Sequence, residues 1–131
     1  RKGQNGDNEP QDFKTGLQTM IIYHMCKAEE WQAAEAAGVY GGSSQDIADG
    51  FIHFSTAEHI VASAAKHRAG QDGLILLSVD PDPLGDAVKW EEARGGILFP
   101  HVYGGLPVSA VTKTDPLALD EDGTHIFPDL G

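Results

Sequence analysis

A chain of 131 residues, 40% hydrophobic and 22% charged, is long enough to bury one core without disulfides or a structural metal, and too apolar for a disordered class. Its 20 acidic residues against nine Lys and Arg give a formal net charge of -11, which repels phosphate backbones and argues against nucleic acid as a general partner. The single cysteine, Cys26, cannot close an internal disulfide or build a thiolate zinc cage, and neither a membrane-spanning run nor a secretion signal is visible, so a reducing cytoplasm is the expected setting.

Residues 1–19 are polar, with apolar side chains only at Phe13 and Leu17, and read as a leader outside the fold. One α+β domain is expected over 20–119, followed by an acidic surface tail over 120–131. Met20 to Met25 is a β-branched apolar run and reads as the first strand. Lys27 to Ala37 is rich in Ala and Glu, and Gly38 offers a positive-φ exit; this is the first helix. A loop through Gly41, Gly42, Ser43 and Ser44 leads by an Asp49-Gly50 turn into a short strand, Phe51 to Phe54. Ser55-Thr56-Ala57-Glu58 has capping-box spacing, so a second helix is expected after Ser55 and up to Gly70.

Leu74 to Val79 reads as a buried strand, stopped by Asp80-Pro81-Asp82-Pro83. Val88 to Trp90, Ile97 to Phe99, His101 to Tyr103 and Val108 to Lys113 are further strand candidates. Helices come early and strands late, which favours a mixed or antiparallel α+β fold over a doubly wound parallel one.

Six histidines stand against nine fixed cations, so net charge changes appreciably between pH 5 and 8. Strand alternation puts Phe51, His53 and Ser55 on one face, beside a helix start whose free N–H groups suit an anion. Capping alone accounts for Ser55, whereas His53 is balanced between ligand contact and a backbone hydrogen bond. In Arg94 to Gly104, glycine pairs and Pro100 bracket His101 and Tyr103, which share a face if extended and offer a ring and an imidazole to a planar ligand. Lys89 and Arg94 supply local positive charge in the same stretch. His24 lies between apolar neighbours, where a structural role is the commoner one. Three histidines from separate segments could hold a transition metal, but no paired ligand spacing supports it and no metal is expected. His59 and His67 lie eight apart on the second helix. Cys26 reads as a bystander thiol.

Ile22-Tyr23, Trp31, Asp49 to Thr56 and Phe99 to Gly104 together resemble the bacterial family known as domain of unknown function 952. More distantly, the chain is similar to the ADP-ribosyltransferase fold, including RNA 2′-phosphotransferases. That resemblance implies a split, mostly antiparallel sheet with a nucleotide cleft. Tyr23-His24 looks like the first-strand Tyr-His whose histidine binds a ribose hydroxyl, and His53-Phe54-Ser55 resembles the phosphotransferase His-aliphatic-Ser. His101 stands where many transferases carry glutamate, and Met25-Cys26 replaces the usual small residues after the first-strand histidine.

The resemblance implies a pocket for NAD, ADP-ribose or a related nucleotide, with a transferase activity as one outcome. His53 and His101 are the catalytic candidates. His24, Ser55, Thr56, Arg94 and Tyr103 are the candidate ligand contacts. A noncatalytic metabolite- or partner-binding module is the alternative, and a histidine-based metal-dependent hydrolase a further one.

Overall fold

The computed structural model describes residues 20–130, so the expected leader over 1–19 lies outside the described residues, as does the side chain of Arg94. The elements are β1 (Ile22–Lys27), α1 (Ala28–Ala37), β2 (Val39–Tyr40), α2 (Ser44–Asp49), β3 (Ile52–His53), β4 (Ser55–Thr56), α3 (Ala57–His67), β5 (Leu74–Val79), β6 (Val88–Glu92), β7 (Leu98–Val102), β8 (Leu106–Pro107) and β9 (Val111–Leu117). All strand pairings are antiparallel. They form a four-stranded sheet β4-β1-β5-β9, a three-stranded sheet β3-β7-β6 and a β2-β8 pair. The α+β class with antiparallel sheets is thus observed. No helix among the described residues is long and apolar enough to cross a membrane.

The four-stranded sheet is covered on both faces, which is why β5 reads as a continuous apolar run instead of an alternating one. Ile22 and Cys26 of β1 and Leu77 and Val79 of β5 join Trp31, Tyr40, Ile52, Phe54 and Val102 in one core. Tyr23 and Met25 of β1 turn the other way, toward Ile60 and Ala64 of α3 with Leu74, Leu76 and Leu117. Alternation along β1 therefore points His24 into the first core, toward the three-stranded sheet. Phe54 is among the largest fully buried side chains, and Phe54→Ala is expected to cost about 3–5 kcal/mol in urea denaturation.

Four sequence expectations are corrected by the fold. A third helix, α2, occupies what reads as a loop; Ser43 caps it, with Asp46 closing a capping box. The box expected at Ser55 and Glu58 does not form, because Ser55 pairs with Tyr23 in β4 and Thr56 becomes the N-cap of α3 with no side-chain cap bond. The candidate strands around Pro100 are one strand, β7. Its backbone tolerates proline in a middle strand because Pro100 presents its carbonyl to the Phe54 N–H at 3.0 Å, on the side where the β3 ladder has already ended. Finally, the tail keeps its carboxylates in solvent, but His125 is buried and donates Nε2–H to the Gln71 carbonyl at 2.7 Å. Phe127 and Leu130 pack against the second core.

Candidate functional site

β3 and β7 place His53 directly opposite His101, and β6 places Lys89 opposite His101 on the other side. Directly opposed residues share a face, so Lys89, His101 and His53 form a row across three strands. Phe51, two residues before His53, stacks on the His101 ring at 4.0 Å and 22° and meets His53 at 4.6 Å and Tyr103 at 5.5 Å. The two imidazoles are 5.7 Å apart, edge to face.

Each histidine is tied through Nδ1 to its own carboxylate. His53 Nδ1–H donates to Asp46 Oδ1 at 2.5 Å, and His101 Nδ1–H donates to Glu91 Oε1 at 2.7 Å. The Tyr103 hydroxyl donates to the same Glu91 oxygen at 2.8 Å. Because a carboxylate accepts only, Glu91 fixes the tautomer of neutral His101 with its lone pair on Nε2. That nitrogen has no protein partner among the described residues, although the side chain is only 10% exposed. His53 differs, since its Nε2 lies 3.0 Å from Asp49 Oδ2. Hydrogen bonding to Asp46, ahead of the opposing effect of burial, raises the His53 pKa. The same cross-strand pair thus holds one imidazole, His53, between two carboxylates and the other, His101, by Nδ1 alone.

Asp46 is the residue on which this arrangement turns. Its carboxylate is 3% exposed and accepts from the Ser43 N–H at 2.7 Å, the Ser43 hydroxyl at 3.0 Å, the His53 N–H at 3.1 Å and the His53 ring. Burial would raise its pKa, but these hydrogen bonds, the His53 ring first among them, outweigh it and hold the carboxyl well below the usual range. Gly42 is needed beside it: its φ is +100°, and an added Cβ would stand 2.7 Å from the Asp46 Cβ.

His24 lies beneath the pair. It is 4% exposed, donates Nδ1–H to the His53 carbonyl at 2.6 Å and accepts on Nε2 from the Tyr40 hydroxyl at 2.7 Å. Burial lowers its pKa, which keeps the ring neutral and suits this donor–acceptor pattern. His24 therefore clamps the backbone of His53, with both ring nitrogens occupied. Tyr40→Phe leaves a buried nitrogen without its donor, and a loss of about 1–3 kcal/mol in chemical denaturation is expected. Cys26, in the same core, has its thiol pushed up to about 12 by burial and remains protonated.

The structure brings His53, His101 and Tyr103 together, with His24 bonded to the backbone of His53 beneath them, and turns the Ser55 hydroxyl elsewhere. Ser55 is 7% exposed with its hydroxyl on Ser63 at 3.2 Å, and the buried Thr56 hydroxyl has no partner among the described residues. Among the described residues no group of three or more His, Cys, Asp or Glu side chains could hold a metal ion. Sequence reasoning missed Asp46, Asp49, Glu91 and Phe51. The Ser43-x-x-Asp46 spacing carried a signal for the first of these, whereas Glu91 depends on the β6–β7 register. A cavity of about 230 Å³ adjoins the cluster, lined by Gly41, Asp46, Ile47, Gly50, Phe51, Ile52 and Gly104. Neither histidine lines it, and its volume lies below the usual range of small-molecule sites.

Residues 25–114 match the profile of a family described as "Protein of unknown function (DUF952)". Among solved structures, the crystal structure of protein CC0527 from Caulobacter crescentus is similar at 48% identity and a TM-score of 0.78, covering 81% of this chain and 93% of that one. A double mutant of that protein gives 47% identity and the same TM-score and coverage. Its solution NMR structure gives 50% identity and a TM-score of 0.71, over 79% of this chain and 89% of that one. No curated protein matches.

Proposed function

The chain belongs to the DUF952 family, and from its carboxylate-tied histidine pair we propose that it binds the ribose end of a nucleotide of the NAD or ADP-ribose type. The observation that carries the reading is the cross-strand pair itself. His101 is tied by Nδ1 to Glu91, which leaves Nε2 for a ligand, next to His53 held between Asp46 and Asp49. A ribose hydroxyl can donate to His101, while the faces of Phe51 and Tyr103 offer a platform for a planar ring.

Charge favours the ribose end over the phosphates. Asp46, Asp49 and Glu91 stand in the cluster against Lys89 and the histidines, so it suits a cationic nicotinamide ring better than a pyrophosphate. In transfer chemistry, the C1′–N bond of NAD breaks with its electron pair leaving on neutral nicotinamide. The acceptor hydroxyl oxygen bonds to C1′, and its proton goes to solvent water, since the one lone pair of His101 is taken by the ribose hydroxyl. Glu91, behind His101, supplies the negative potential that a positively charged sugar carbon requires.

The thermal midpoint tests this reading, using NAD, ADP-ribose, nicotinamide and a 2′-phosphorylated nucleotide. Ligand at about one hundred times its dissociation constant stabilises by about 2.7 kcal/mol, several degrees in a domain of this size. A shift with NAD or ADP-ribose that disappears in the double variant His53→Ala/His101→Ala is the expected result. No shift with any of the four contradicts it, and binding without nicotinamide release makes the protein a noncatalytic module.

A further inference from the structure

β6 is the outermost strand of the three-stranded sheet, and no strand among the described residues pairs with its free edge. Large apolar side chains stand exposed beside it: Trp90 is 43% exposed, Leu98 54% and Ile97 39%. Trp90 and Leu98 share a face, because Glu92 opposes Leu98 and lies two residues from Trp90. Lys89 and Glu91 occupy the other face, with the histidines.

The strand, Val88-Lys89-Trp90-Glu91-Glu92, is self-complementary about its centre. An antiparallel twofold axis through Trp90 sets Lys89 of each copy opposite Glu91 of the other, and opposed unlike charges attract across such a pair. Axes through Lys89 or Glu91 set like charges face to face. Charged residues on an edge ordinarily prevent pairing; here they permit one register and oppose its neighbours.

We propose that this edge docks a second copy of the same chain, β6 against β6, giving a continuous six-stranded sheet. The two Trp90 rings meet across the axis with Leu98 beside them, where a buried tryptophan is a strong anchor. On the opposite face the partner's Lys89 comes next to Glu91, the carboxylate that holds His101. The two histidine clusters then lie on one face of one sheet. This assembly stands independently of the ligand the histidines take.

Sedimentation velocity across a concentration series reaching the millimolar range tests the assembly, with far-UV circular dichroism confirming that each variant folds. Wild type is expected to form a dimer. Lys89→Glu and Glu91→Lys should each be monomeric, while an equimolar mixture of the two should associate, since two glutamates at positions 89 and 91 of one copy then face two lysines of the other. Trp90→Ala, which leaves the histidine cluster alone, should be monomeric as well. A wild type that stays monomeric throughout, a dimer that survives both charge reversals, or a mixture that fails to associate would overturn the proposal.

Discussion

Replacing Asp46 by Asn is expected to destabilise the fold by about 2–3 kcal/mol at mildly acidic pH, the largest effect of any single polar substitution in the cluster. The groups hydrogen-bonded to this carboxylate donate to it: the Ser43 N–H and hydroxyl, the His53 N–H and the His53 ring. An amide gives back one acceptor oxygen and sets an NH₂ against donors that then have no partner. The loss stays below that of a fully buried ion pair because the His53 side chain is 41% exposed and water screens its charge.

The size of this effect depends on pH. The folded-state pKa of Asp46 lies below its ordinary 3.8, so its contribution is present above that value and is lost as pH falls through the folded pKa. For His53 the folded-state pKa lies above the ordinary 6.5, so its contribution is full below 6.5 and is lost as pH rises through the folded value. The penalty of Asp46→Asn is therefore greatest between these limits and smaller in alkaline solution. Urea denaturation of wild type and variant across pH checks this, and NMR titration should show the His53 pKa falling toward 6.5. A penalty that grows with rising pH would contradict the assignment of charge to His53.

The second large effect concerns the ligand. His101→Ala removes the only ring nitrogen of the pair that is free to accept from a ligand, and affinity for NAD or ADP-ribose is expected to fall about 10- to 100-fold. Glu91→Gln keeps the ring but replaces the carboxylate that fixes its tautomer, so nicotinamide release should suffer more than binding. Calorimetric titration and a product assay on the same samples separate the two. Equal affinity in wild type and His101→Ala would remove His101 from the binding site.

Much of the scaffold is legible before any coordinates. The apolar run at Leu74–Val79 is β5 as read, and the Ala- and Glu-rich stretch ending at Gly38 is α1, with that glycine at φ +84°. These elements declare themselves because their signals are local and continuous. β3 is only two residues long, and its pairing with β7 comes from a register that no local pattern specifies. His53 and His101 stand out as residues, but not as partners. The carboxylates that hold their rings come from a helix hidden in a polar loop and from a neighbouring strand. Ser55 shows the reverse case, in which a capping signal is overridden by pairing with β1.

The most direct test is NMR of the histidine ring resonances during titration with NAD, followed in wild type and in His101→Ala. The account predicts that the signals of His53 and His101 move together and saturate, while those of buried His24 and His125 move little, and that the response is lost in the variant. Saturating shifts centred on other residues, or none at concentrations that saturate known nucleotide sites, would contradict the claim that this histidine pair is where the protein meets its ligand.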